Sequence, residues 1–122
     1  MGTFHIGCKI ENYKDSGKTI KINSLLVDTG AEHTWIRDTK LAKIGISPIK
    51  KDVPFKMANG QLITRNIGFM VIRVNKEFTV DEVVFAQKGD LELLGARSLE
   101  GLNLNVDAKR KKLVAAGPYP VA

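Results

Sequence analysis

Cysteine is almost absent from this chain of 122 residues: Cys8 stands alone. No disulfide can form within the chain, so its core must hold it together. Histidine is nearly as scarce, with only His5 and His33. One cysteine and two histidines at these spacings do not make a zinc site. Such a composition suits a reducing compartment, and a cytoplasmic address is the expectation. No apolar run approaches the roughly 20 residues of a membrane span. The opening Met1-Gly2-Thr3-Phe4-His5 lacks the basic-then-apolar pattern of a secretory signal. Aromatic residues form only 7% of the chain, and none interrupts the basic stretch Lys109-Arg110-Lys111-Lys112. A nucleic-acid surface needs rings for base stacking as well as charge, so that partner is not expected. Much of the formal net charge of +6 lies there and at Lys50-Lys51, and residues 107–112 read as a hairpin turn with solvated lysines.

What is present is mostly strand pattern. The length suits one domain, residues 1–122, large enough to bury a core. Residues 3–11 alternate, with Phe4, Ile6, Cys8 and Ile10 on one face; Cys8 there reads as a small buried hydrophobe. Residues 12–17 read as a polar turn, followed by strands over 18–22 and 25–27. Asp38 is a candidate N-cap for a short helix carrying Leu41 and Ile44, with Gly45 as its stop. A brief extended piece spans 46–49. Asn59-Gly60 sits between extended arms over 53–58 and 61–74, which predicts a hairpin with positive φ at both turn residues. Asn75-Lys76 predicts another tight turn, then strand segments at 78–80 and 83–85. Residues 91–94 predict a strand, followed by a glycine turn, a short helix, Gly101, a strand to Val106 and a return arm at 113–116.

One stretch is unusual. Leu25-Leu26-Val27-Asp28-Thr29-Gly30-Ala31 drives a buried strand straight into a carboxylate. The bland reading is a strand ending in an aspartate turn. The other is an acid wanted at the end of a rigid element, where catalysis needs it. The chain echoes itself downstream: Leu93-Leu94-Gly95, then a short helix, Gly101 and an apolar strand, repeats the order of Leu26-Val27-Asp28-Thr29-Gly30, helix and Gly45. The echo predicts a pseudo-two-fold, β-rich fold whose second unit has no acid.

Acid–base hydrolysis needs two carboxyl groups in different protonation states. Two carboxyls in close contact cannot both ionise, so they share a proton, one acting as base and the other as acid. Asp15-Ser16-Gly17 is a second Asp-[Ser/Thr]-Gly, but its polar surroundings mark it as turn chemistry. Asp81, Asp90 and Asp107 lack a glycine turn after an apolar run. The remaining source of a second acid is another copy of the chain, with a two-fold axis bringing Asp28 to Asp28.

The apolar run into Asp28-Thr29-Gly30-Ala31, the hairpin tipped by Asn59-Gly60 and the later Leu93-Leu94-Gly95 together resemble the retropepsin-like aspartic proteases, most of all their small prokaryotic members. The resemblance runs in order of elements from about residue 7 to residue 113. It implies an all-β, closed acid-protease barrel with one or two short helices, working as a homodimeric endopeptidase on peptide or protein substrates. It implies Asp28 as catalytic acid or base, Thr29 as its brace and Gly30 as its orienting neighbour. Ala31 and Glu32 match positions beside a bound peptide backbone. Met57, Ala58, Asn59 and Gly60 match the flap that closes over substrate. The family uses a lytic water and no cofactor. Two departures stand out. The arginine after the second apolar run, Arg97, comes one place late, with Glu32 or Asp38 as its expected partners. The flap carries only Gly60 at its tip.

His33 reads as a solvent-facing strand residue, the alternative being a role beside the dyad or substrate. Trp35 reads equally as core, rim or subsite. Met57 and Met70 read as packing residues, with Met57 near enough to the tip to touch substrate. Residues 28–34 also fit a phosphate-loop pattern of sugar kinases, but those enzymes need two large lobes that this chain is too short to build. The rival function is a catalytically weak or inactive retropepsin-like dimerisation or adaptor module whose basic turns dock an acidic partner.

Overall fold

The computed structural model describes residues 3–121; the reading of Met1 and Gly2 lies outside the described residues. The element order is β1 (His5–Asn12), β2 (Asp15–Val27), β3 (Thr34–Arg37), α1 (Asp38–Lys43), β4 (Lys50–Lys56), β5 (Leu62–Val74), β6 (Glu77–Ala86), β7 (Leu93–Leu94), α2 (Ala96–Gly101), β8 (Leu104–Asp107) and β9 (Lys112–Ala115). Strands run β1-β2-β7-β3-β6-β5-β4 across one sheet, and β1 also pairs with β5. That last pairing closes a ring, so the fold is an all-β barrel with two short helices. Closure removes most of the exposed strand edge that an open sheet would present. β8 and β9 form a separate two-stranded sheet. Among the described residues, no helix is long and apolar enough to cross a membrane.

The alternation seen in the sequence becomes an inside and an outside. Ile10, Leu25, Ile36, Leu41, Met70, Ile72, Val83 and Leu94 are fully buried in the core, with Cys8 at its edge. Burial pushes the Cys8 thiol up to about 12, so it stays protonated and inert at neutral pH.

Several boundaries differ from those the sequence predicts, each for a physical reason. The first turn is only Tyr13-Lys14, because Asn12 pairs with Asp15. The Asn12 side chain accepts from the Lys14 N–H at 2.8 Å and donates to the Ile44 carbonyl at 3.0 Å. β2 is continuous through Asn23-Ser24. Residues 46–49 form no strand; the Ile46 N–H caps α1 on Leu41 and the Ile49 N–H reaches Ile67. Asp38 is the first residue of α1, with Arg37 as the cap. Gly45, at φ 76, ends that helix as predicted: its N–H meets the Ala42 carbonyl while that of Ile46 meets Leu41. In the second unit the left-handed position falls on Asn103, φ 56, and Gly101 lies inside α2. There a Cβ would strike the Thr79 side chain.

The β4–β5 hairpin projects from the ring. β5 pairs with β4 over its first half and with β1 over its second, while β6 lies along its other edge. Its tip is a three-residue loop. The Met57 N–H donates to the Gln61 carbonyl and the Gly60 N–H to the Met57 carbonyl. Gly60 has φ 86 but Asn59 does not have a positive φ. This is a turn followed by a left-handed glycine rather than a two-residue turn with both φ values positive.

Candidate active site

β2 delivers Asp28 at the point where it runs parallel to β7, with Leu26 beside Leu93 and Val27 beside Leu94. The Asp28 N–H continues that ladder one step further, onto the Leu94 carbonyl at 3.0 Å. The backbone of the acid is therefore part of the barrel, while its side chain, half-buried, leaves the sheet. One carboxylate oxygen accepts the Gly30 N–H at 2.9 Å.

Residues 31–33 then cross in front of Gly95. The Ala96 N–H meets the Ala31 carbonyl at 2.8 Å and the Arg97 N–H meets that of Glu32 at 3.0 Å. The approach is so close that a Cβ on Gly95 would fall on the His33 carbonyl, so only glycine fits. Beneath this crossing runs a buried polar chain. The Gly95 N–H donates to Thr34 Oγ1 at 3.0 Å, Thr34 and Ser98 share a hydroxyl bond of 2.6 Å, and Ser98 Oγ donates to Asp81 Oδ2 at 2.8 Å. Thr34 and Ser98 are both fully buried. Each group has a partner, which makes such a chain stiffening rather than costly. Sequence reasoning missed Thr34, Ser98 and Asp81 as supports. The available signal was the alternation of Thr34 with Ile36, which places a hydroxyl at a core position and demands a partner for it.

Asp28 opens into a cleft of about 710 Å³. Of the candidate residues, Asp28, Gly30, Ala31, Glu32, Met57 and Ala58 line it; Thr29, Asn59 and Gly60 do not. Thr29 is exposed. Asn59 and Gly60 stand at the hairpin tip, where the Asn59 side chain accepts from the Gln61 N–H at 2.9 Å. A smaller hollow of about 500 Å³, bounded by Asp38, Ser47, Asn66 and Gln87 among others, contains none of the candidates.

One wall of the cleft is aromatic: Trp35, which the sequence left open between core, rim and subsite, lines it together with Phe55, which the sequence did not single out. Phe55 of β4 packs edge-on against Trp35 and His33, with ring centroids 5.2 and 5.6 Å away. His33 is thus not a solvent-facing residue: its side chain is only 15% exposed, and Nε2 lies 3.1 Å from Glu82 Oε1. Arg97 pairs with neither Glu32 nor Asp38 through its side chain. It reaches Glu82 Oε1 at 3.2 Å and His33 Nε2 at 3.1 Å. Asp38 is taken instead by Arg37. Lys50 completes this cluster at 2.6 Å from Glu82 Oε2. The Lys50 ammonium, with His33 and Arg97 alongside, holds the Glu82 carboxyl below the usual carboxylate range.

The other acids lining the cleft are Glu32 and Asp90. Asp90 is committed: Arg65 grips it with two nitrogens at 2.7 and 2.9 Å and holds its carboxyl below the usual range. Asp15, the acid of the other Asp-[Ser/Thr]-Gly, makes nearly the same local turn, its Oδ1 accepting the Gly17 N–H at 3.0 Å. It lies at an exposed hairpin, away from the cleft lining.

A closed β-barrel with an Asp-Thr-Gly turn at the meeting of two parallel strands, beside a cleft under a projecting hairpin, defines a retropepsin-like acid-protease fold. Over residues 17–101 the chain matches the family described as "gag-polyprotein putative aspartyl protease", more than half its length, and it belongs to that family. No curated protein matches the chain.

Proposed function

We propose that this chain is an aspartic endopeptidase that works as a homodimer, with the two Asp28 carboxyls sharing one water and one proton. The observation that carries this reading is the mounting of Asp28: its backbone is locked to β7, its side chain is held by Gly30, and it opens into a cleft beneath the β4–β5 hairpin. No other acid lining the cleft has that mounting. Thr29 and Gly30, exposed beside Asp28 in the single chain, form the surface that a second copy would cover. There the exposed Thr29 hydroxyl would brace the pair.

In the mechanism, one Asp28 is ionised and takes a proton from the water as it attacks the scissile carbonyl. The other is protonated and donates to the carbonyl oxygen. Closely spaced carboxyls take up these two states because both cannot ionise together. Ala31 and Glu32 flank the peptide backbone. Met57, Ala58, Asn59 and Gly60 act as a flap that excludes water once substrate is bound. The whole chain serves as one domain, in a reducing, cytoplasmic setting that suits the lone buried Cys8.

Cleavage of a mixed peptide library, read by mass spectrometry from acid to neutral pH, tests the reading. Wild type should cut and Asp28→Asn, equally well folded, should not. Cuts that persist in Asp28→Asn, or none from a well-folded wild-type dimer, would favour an adaptor role or another catalytic group.

A further inference from the structure

The hairpin over the cleft is tied down on the β5 side by one ion pair. Arg65 donates Nε to Asp90 Oδ2 at 2.7 Å and Nη2 to Asp90 Oδ1 at 2.9 Å. Both side chains are largely buried, at 15% and 13% exposed. Asp90 is also the closing residue of its own turn. Its Oδ2 accepts the Gln87 N–H at 2.8 Å, its N–H donates to the Gln87 carbonyl at 2.9 Å, and Gly89 turns the chain at φ 94. A single carboxylate therefore fixes the loop and grips the hairpin.

That loop carries the wall of the cleft. Gly89, Asp90, Leu91 and Leu93 line it, with Val53, Phe55 and Met57 of the hairpin also in the lining. Arg65 stands opposite Val53 in the β4–β5 register, so holding Arg65 holds both strands of the hairpin at that level. Beyond it the apolar side chains are open: Met57 is 40% and Leu62 69% exposed. The second tie, Lys50 to Glu82, is a single bond from an exposed lysine. A two-pronged guanidinium–carboxylate pair is the stronger and more directional of the two.

We propose that Arg65 and Asp90 are positioning residues for substrate. Together they set the gap between the flap and the 87–91 wall, and they place the hinge of the flap at the level of Val53 and Arg65, so that only residues 54–64 move. This inference rests on the protease reading for its substrate, but not for its structural consequence.

The test uses Arg65→Lys, Asp90→Asn and the double variant of the full chain. With peptide substrates, each single variant should raise KM about tenfold while kcat stays near wild type, because the chemistry is intact and the cleft is looser. The double variant should be no worse than the poorer single variant, as expected of one coupled pair. Hydrogen exchange, measured by mass spectrometry, should quicken more over residues 54–64 than in β6. Unchanged KM, or a fall in kcat as large as the rise in KM, would overturn the proposal. If wild type shows no Asp28-dependent cleavage, the protease reading fails and the exchange data decide alone. Exchange quickened more over 54–64 than in β6 upholds the hinge; exchange unaltered over 54–64, or quickened equally in β6, refutes it.

Discussion

Asp15 and Asp28 sit in nearly the same local turn, each carboxylate accepting the N–H of the glycine two residues on. Their difference lies in what surrounds them. Asp28 continues a parallel ladder into a cleft, whereas Asp15 ends an exposed hairpin. Asp28→Asn is expected to keep the thermal midpoint and lose peptide cleavage, while Asp15→Asn keeps both; loss of activity at Asp15 would move the chemistry to the wrong turn. Thr34 offers a stability test. Replacing it with valine leaves the buried Gly95 N–H without its acceptor and the Ser98 hydroxyl with Asp81 alone, which should cost about 1–3 kcal/mol in denaturant unfolding. A loss below about 0.5 kcal/mol, the size of an ordinary surface change, would mean that water or rearrangement replaces that chain. Asp28 could be read from the sequence because an apolar run ending in Asp-Thr-Gly is a local pattern. His33, Arg97 and Glu82 could not. Their partners are 15 to 64 residues away along the chain, and nothing in the spacing of a lone histidine or a displaced arginine says which acid the fold will bring to it.

Strand pattern made the elements legible. Alternation found β1, β5 and β6, and the turn residues Gly45, Gly60 and Asn75 fell at positive φ. What alternation could not supply was where pairing stops. Asn12 is a polar residue that stays in its strand because Ile44 and Lys14 satisfy its side chain, so the first turn shrank to two residues. β7 shrank the other way, to Leu93–Leu94, because β2 and β3 pair with only those residues. The β4–β5 hairpin gives the prediction proper to this scale. The Asp90 carboxyl is held below its ordinary value by Arg65, so the pair contributes stability that is present at neutral pH and lost as pH falls through that depressed value. Asp90→Asn should therefore lower the thermal midpoint at pH 7, by the equivalent of about 2 kcal/mol. The gap to wild type should close in strong acid, below the usual carboxylate range. A gap independent of pH would assign the loss to packing rather than charge.

At the scale of the molecule, the echo between the two halves survives only in part: β2 and β7 run parallel and end in turns at Asp28 and Gly95, but β3 separates the first turn from α1 and residues 46–49 form no strand. The second unit carries no acid at the matching turn, so the dyad proposed above needs its second carboxyl from another copy of the chain. An open Thr29-Gly30 edge beside Asp28 is what a partner would complete. The sequence could not show this edge, because exposure is a property of the closed ring and not of any local stretch. Dimer formation follows as the central claim, and it predicts that activity per chain rises with concentration until the dimer is saturated. The most direct measurement mixes wild type with Asp28→Asn at fixed total concentration, after exchange of subunits, and follows peptide cleavage. If each site needs one Asp28 from each chain, activity should fall as the square of the wild-type fraction. A fall in simple proportion to the wild-type fraction would contradict the shared site and return the chemistry to a single chain.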